Sequence, residues 1–310
     1  MIGIDVGGAN LKVVDDTGVH IHYCPLWEGA PIPELLVSYA AGTGDPAFVV
    51  MSGELADCFE NKLQGISFIV DAVRKAIPRA RFYGTDACFH NHAVPQLAAA
   101  NWLASADYLR TRYPDALLLD IGSTTADIIP LGRFDRLLGL TDTQRLQAGY
   151  LVYTGMLRTN VATLIQTVDL AGVPTPVSSE YFATSADAHL VLGHITPSLY
   201  TCDTPDRKEK TNEAAFRRLA RVVCADLDEI GISGAMQVAE QFWKVQRDIV
   251  CGTARRVSQI SGAREIIVAG IGAPLFCAEL GGIDLTRELG PAADALPAFA
   301  VRELGKANDL

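Results

Sequence analysis

The sequence predicts an α/β protein of two similar lobes separated by a cleft, and three observations carry that expectation. Strand-length apolar runs alternate with segments of helical spacing along most of the chain. The stretches GIDVGGANLK (3–12) and LLDIGSTTAD (118–127) repeat one pattern, apolar-Asp-apolar-Gly-small, at a constant offset of 115 residues. A third small-residue turn, AGIGAP (269–274), follows the strand-like run EIIV.

Taken in order, IGIDV, LKVVD and VHIHY read as a three-strand meander from Ile2 to Cys24, punctuated by GGAN and the turn signal DDTG. A helical segment follows Pro31. AFVVMS reads as a buried strand, GISFIVDAVRKAI as a helix, ARFYG as a strand, and VPQLAAANWLASADYLRTR as one long helix with an Ala-rich face. The second unit opens with DALLLDIGSTTADIIPL, again strand, tight turn, strand. From Gly139 to Asn212 the chain is rich in Gly, Pro, Thr and Asp and poorly periodic, which predicts an insertion lining the cleft. Long helical segments from Glu213 to Gln259 lead into REIIVAGIGAPLF, a strand, turn and helix start, and AADALPAFAVRELGKA reads as a final helix. The expected division is a first lobe of 1–114, completed by a C-terminal helix 291–310, and a second lobe of 115–290 carrying the insertion 139–212.

With 49% hydrophobic and 20% charged residues, the composition is that of a globular protein. A formal charge of −10, from 26 basic and 36 acidic residues, argues against a non-specific nucleic-acid or anionic-membrane binder. The N-terminal MIGIDVGG lacks a basic region and a cleavage site, and the apolar runs fall short of the roughly 20 residues needed to span a bilayer. The expectation is a cytoplasmic protein. The seven cysteines are scattered with no CxxC pair, so buried free thiols are expected rather than a disulfide or zinc framework.

Aligned at the fixed offset, Asp5 falls on Asp120, Gly7 on Gly122, Gly8 on Ser123 and Asn10 on Thr125. Small residues at a hairpin tip let backbone N–H groups approach an anion closely. The phosphate-binding candidates are therefore Gly7, Gly8, Ala9 and Asn10, then Gly122, Ser123, Thr124 and Thr125, with Gly270 and Gly272 from the third turn. A carboxylate at each strand end suits hydrated Mg²⁺, which prefers oxygen ligands and keeps several waters, so Asp5 and Asp120 are the metal candidates. Two such hairpins facing each other would grip a polyphosphate. There is no GxxxxGK[ST] P-loop, and the first turn lacks GxGxxG.

These residues resemble the actin, sugar-kinase and heat-shock-chaperone ATPase superfamily, whose members pair two ribonuclease-H-like lobes around a cleft. GIDVGGANLK resembles its first phosphate motif, LLDIGSTTAD its second, and IIVAGIGAP (266–274) its adenosine-side motif. Within that fold, MSGELADCF (51–59), AAANWLASA (98–106), YTGMLRTNV (153–161), SEYFATSADAHLVLG (179–193) and RRLARVVCADLD (217–228) resemble the hydantoinase/oxoprolinase-like branch. They are closest to a family linked to tetrahydromethanopterin-dependent one-carbon transfer and methanofuran biosynthesis. The resemblance implies a transferase that joins a furfuryl diphosphate to the phenol of a tyramine derivative and releases pyrophosphate. Lys12 would then be a point charge beside the leaving group. An ATP-dependent kinase or hydantoinase-like ring opener, with ATP in the hairpins and Asp86 or Glu180 as base, is the alternative. A non-enzymatic nucleotide switch is a third.

The other candidates are single residues. Arg158 suits bidentate anion recognition, and Tyr153 beside it suits an aromatic ring. Asp187 and His189 would share a face if their segment is a strand, and with Glu180 they would orient a phenol and take its proton, the catalytic role falling to Glu180 and His189. Asp203 is a metal or amine ligand candidate, while Glu54 and Asn101 are cleft candidates. The pairs in HIH (20–22) and HNH (90–92) lack further zinc ligands at recognisable spacing.

Overall fold

The structure is a computed structural model that describes residues 1–40 and 46–308. Its first half is built on β1 (Ile2–Val6), β2 (Asn10–Val14), β3 (Val19–Tyr23), α1 (Ile32–Ala40), β4 (Ala47–Met51), α2 (Lys62–Ala76), β5 (Arg81–Tyr83), β6 (Phe89–His90) and α3 (Asn101–Leu109). These strands form one six-stranded sheet in the order β3-β2-β1-β4-β5-β6. β1 pairs antiparallel with β2, placing Asp5 opposite Lys12, and parallel with β4.

A second sheet repeats that arrangement. The second half of the chain carries β7 (Ala116–Ile121), β8 (Ala126–Pro130), α4 (Asp142–Ala148), β9 (Leu151–Val152), α5 (Val161–Leu164), β10 (Thr167–Leu170), β11 (Val173–Pro176) and α6 (Ser185–Val191). The chain continues through α7 (Asn212–Arg221), α8 (Leu227–Ser261), β12 (Glu265–Ala269), α9 (Ala273–Leu280), β13 (Ile283–Asp284), α10 (Thr286–Leu289) and α11 (Leu296–Asn308). The sheet order is β13-β12-β7-β8-β9, with β10 and β11 forming a separate ribbon. Here β7 pairs antiparallel with β8, placing Asp120 opposite Asp127, and parallel with β12. Each hairpin therefore rises from a strand with an antiparallel partner on one side and a parallel one on the other. Such strands are covered on both faces, which is why VVM and LLL run apolar without alternation.

Each sheet has its own apolar core. Ile4, Val49, Ile66 and Phe82 belong to the first; Leu119, Ile128, Val238 and Phe242 belong to the second. A third cluster joins residues of both halves, with Phe48, Trp102, Leu118, Ile267 and Leu296 fully or almost fully buried. α11 returns from the end of the chain to pack on β1, β4 and α3. Residues 309–310 of the expected C-terminal helix lie outside the described residues. No helix among the described residues is long and apolar enough to cross a membrane.

Two expectations need correction. The long helix from Val94 is broken: Pro95–Leu97 is a 3₁₀ turn, Ala99 has φ 47°, and α3 begins only at Asn101. Alanine's helix propensity does not carry the stretch through the left-handed backbone at Ala99. The poorly periodic stretch 139–212 holds α4 to α6 and β9 to β11, elements too short to show a period. All seven cysteines are free, but Cys58, Cys88 and Cys224 are exposed rather than buried.

Candidate functional site

The two repeated turns close in the same way. Gly7 N–H donates to Asn10 O at 2.9 Å, and Gly122 N–H donates to Thr125 O at 3.0 Å. Among the described residues the N–H groups of Gly8, Ala9, Ser123 and Thr124 donate to no protein acceptor. Two sets of outward amides is the arrangement an anion site needs. Both tips are clamped through their carbonyls, which keeps those amides in place. Cys24 and Leu26 donate to Ala9 O and Gly8 O, while Met156 donates to Gly122 O and Leu157 and Arg158 both donate to Ser123 O, all within 2.9–3.0 Å.

Behind the tips lies a cluster of carboxylates with one lysine. Asp5 is 5% exposed, and its Oδ1 has no hydrogen-bond partner. Burial pushes the Asp5 carboxyl up to about 6, against the pull of Lys12. Burial pushes Asp120 up to about 7, with Asp127 and Asp5 adding to the rise and Lys12 opposing it. Charges from one hairpin thus act on the other, and Lys12, whose Nζ donates to Asp294 O at 2.7 Å, acts on both carboxylates. An orphaned buried oxygen beside a second raised carboxyl is what a hydrated divalent cation would satisfy. Among the described residues no group of three or more His, Cys, Asp or Glu is assembled for a metal, so such an ion would rely on waters and a phosphate for its remaining ligands.

Gly270, in the third turn, fits against this cluster. Its φ is +81°, and a Cβ there would lie 2.5 Å from both Asp120 Oδ1 and Ile121 O. Gly270→Ala is expected to destabilise the protein by about 1–3 kcal/mol from backbone strain alone and to displace the Asp120 carboxyl. A urea melt alongside an activity assay checks it. Gly155 plays a similar part below the second tip, since a Cβ there would meet the Thr124 backbone at 2.6 Å.

The remaining predicted residues separate into two groups. Asp187 and His189 lie on α6, a helix, not on a strand, and both are fully buried. His189 is pushed down to about 3 by burial, so it is neutral. Its Nε2 lies 2.8 Å from Gln246 Oε1 and its Nδ1 3.0 Å from His194, with no face left toward solvent. Gln246 in turn donates to Thr154 Oγ1 and Gly155 O, so His189 acts by holding the loop that grips the second hairpin. Asp187 accepts from Arg218 Nη2 at 2.7 Å and Tyr200 OH at 3.1 Å, and caps its own helix at Thr184. It is a structural ion pair and is not placed to bind substrate. Glu54 is 1% exposed and raised by burial, with Oε2 unpartnered, yet its charge neighbours are Lys62 and Asp142 rather than the hairpin carboxylates.

The second group is accessible. Arg158 is half-buried and its guanidinium carbon lies 5.4 Å from the Trp27 ring centroid. Asp203, Glu180 and Tyr153 are exposed, Tyr153 without a ring contact among the described residues, and Asn101 is half-buried at the start of α3. Asp86 pairs with His90 at 3.0 Å. Sequence reasoning missed Asp127, which sits inside the quoted LLDIGSTTAD, and it missed Asp294, Arg145 and Trp27. Register was the available signal for Asp127, since a hairpin closed at Gly122 and Thr125 puts it opposite Asp120. Arg145 is 3% exposed, ion-pairs with Asp127 and stacks 4.2 Å from the Trp102 ring.

Two sheets of this repeated topology, each presenting a hairpin with a strand-end carboxylate, define a protein of the two-lobed actin-like ATPase fold. The chain matches the hydantoinase/oxoprolinase family over residues 47–300, and it belongs to that family. A protein of Methanocaldococcus jannaschii, named (4-{4-[2-(gamma-L-glutamylamino)ethyl]phenoxymethyl}furan-2-yl)methanamine synthase, is 32% identical over 98% of this chain and 97% of its own. A protein of the same name from Methanococcus vannielii is 36% identical over 51% of this chain and 71% of its own. A nucleotide-free acetone carboxylase aligns in structure over 97% of this chain and 69% of its own, with a TM-score of 0.51 and 10% identity, a likeness of fold alone.

Proposed function

We propose that this enzyme is a transferase of methanofuran-type cofactor biosynthesis, joining a furfuryl diphosphate to the phenol of a tyramine derivative. The supporting observation is the similarity along 98% of the chain to a synthase whose named product contains that phenoxymethyl-furan ether. In the step, the phenol oxygen forms a bond to the furfuryl CH₂, the CH₂–O bond to diphosphate breaks, pyrophosphate leaves with the bonding pair, and the phenolic proton passes to base. The free amides of Gly8, Ala9, Ser123 and Thr124 would hold the diphosphate from two sides, and Lys12 would meet its growing charge. Asp5 and Asp120 would hold Mg²⁺, which when bound neutralises charge on the leaving group. Incubating the protein with a furfuryl diphosphate and tyramine or γ-glutamyltyramine, with mass spectrometry for the ether, tests the reading. Tight ATP binding with ADP release and no ether would favour the kinase-like alternative instead.

The carboxyl shifts give a pH dependence. Asp5 near 6 and Asp120 near 7 must both lose protons to hold a cation, so kcat/KM should fall as pH drops through 7 to 6, with apparent values belonging to the pair. Raising Mg²⁺ should move that acid limb downward. Lys12→Met removes the charge that favours both ionised forms, so its acid limb should move to higher pH; an unmoved limb would separate Lys12 from the carboxylates.

A further inference from the structure

The clamps on the two hairpin tips also carry side chains that no part of the proposed chemistry has yet used. Trp27 follows Leu26, whose N–H is bonded to Gly8 O, and Tyr23 precedes Cys24, whose N–H is bonded to Ala9 O. On the other side Arg158 donates its own N–H to Ser123 O. The Arg158 guanidinium lies 5.4 Å from the Trp27 ring, so this pair joins the two segments that clamp the hairpins. Arg158 has no hydrogen-bonded or ion-paired side-chain partner among the described residues. Trp27, Tyr23 and Tyr181 are 41%, 48% and 53% exposed, which leaves large flat side-chain surfaces open. Asp203 is exposed nearby, and the charges of Asp203 and Arg158 are both felt by Tyr23 and by Tyr181.

We infer that Tyr23, Trp27, Tyr181, Arg158 and Asp203 form the acceptor subsite, which takes a phenol whose side arm ends in an amino-acid headgroup. The aromatic side chains supply apolar faces for the phenol ring. Arg158, beside Trp27 and without a hydrogen-bonded side-chain partner among the described residues, would pair bidentately with the headgroup carboxylate, and Asp203 would meet the ammonium. A γ-glutamyl group carries both charges, and a diphosphate held at the hairpin tips would bring its reactive carbon to this mouth. The inference rests on the ether-forming reading above, but its test is independent of turnover.

Calorimetric titration of the wild type with γ-glutamyltyramine and with tyramine should show tighter binding of the former. Trp27→Leu and Tyr181→Leu should each weaken both ligands about 10-fold. Arg158→Gln should abolish the preference for γ-glutamyltyramine while leaving tyramine binding unchanged, and Arg158→Lys should restore it only in part. Inorganic pyrophosphate with Mg²⁺ should bind all variants as it binds wild type. Wild-type affinity for γ-glutamyltyramine in Trp27→Leu and Arg158→Gln, or no binding by the wild type, overturns the subsite. Binding that responds to these variants in a protein that forms no ether keeps the subsite and rejects the reaction; ether formation with an unchanged acceptor KM in the variants does the reverse.

Discussion

Asp120→Asn is expected to lower turnover by about 10³-fold, roughly 4 kcal/mol of transition-state stabilisation, while leaving the fold as stable as before or more so. The two effects come from one cause. Burial, with Asp127 and Asp5 alongside, lifts the Asp120 carboxyl from 3.8 to about 7, so the folded chain holds its proton more tightly than the unfolded chain across that window. Stability therefore falls as pH rises from 3.8 to about 7, and the amide removes that fall. Urea midpoints of wild type and variant should agree near pH 4 and diverge above pH 7, in favour of the variant. A cation held there would account for that cost, since a carboxylate ligand must be ionised. Normal turnover in this variant would show that Asp120 holds neither metal nor leaving group. A loss of stability at neutral pH would make it a structural residue instead.

The largest loss of stability is expected from Arg218→Met. Arg218 is fully buried and donates from Nε and Nη2 to Asp187 Oδ1 at 2.9 and 2.7 Å, and from Nη1 to Asp206 and Glu209 O. Removing it leaves the Asp187 carboxylate buried without a counter-charge, a change that destabilises by about 3–5 kcal/mol. Adding Asp187→Asn to Arg218→Met should recover part of that loss, because the uncompensated charge disappears with its partner. Chemical denaturation of the two variants measures the difference. If the single and double variants unfold together, the pair contributes through packing rather than charge. Activity should fall as well, since α6 holds the Arg158 loop through Ser185 N–H to Thr159 O at 2.7 Å and Ala186 N–H to Leu157 O.

Much of this was legible in the sequence, for reasons that can be named. The two hairpins were visible because each is local: Asp, Gly and small residues within a few positions fix the strand end, the turn and the free amides. Repetition at a fixed offset then implied two lobes. Single residues in 139–212 were less legible. His189 as a catalytic residue and Asp187 as a substrate ligand read equally well as core residues, and only burial beside Gln246 and Arg218 separates the two readings. The alanine-rich stretch before Asn101 carried helical periodicity, yet its backbone turns left-handed at Ala99 and the helix starts only beyond it.

Residue order alone determined the α/β class, the pair of repeated hairpins and the strand-end aspartates, because short-range backbone preferences and apolar period set them. Tertiary structure alone decided what surrounds those hairpins. Asp5, Lys12, Asp294, Trp27 and Arg158 come from separate segments, and their effects on the second hairpin's charge and on stacking depend on distances that close only when the chain packs. Electrostatic shifts and cross-lobe contacts are properties of burial and proximity, and neither is written into the local sequence.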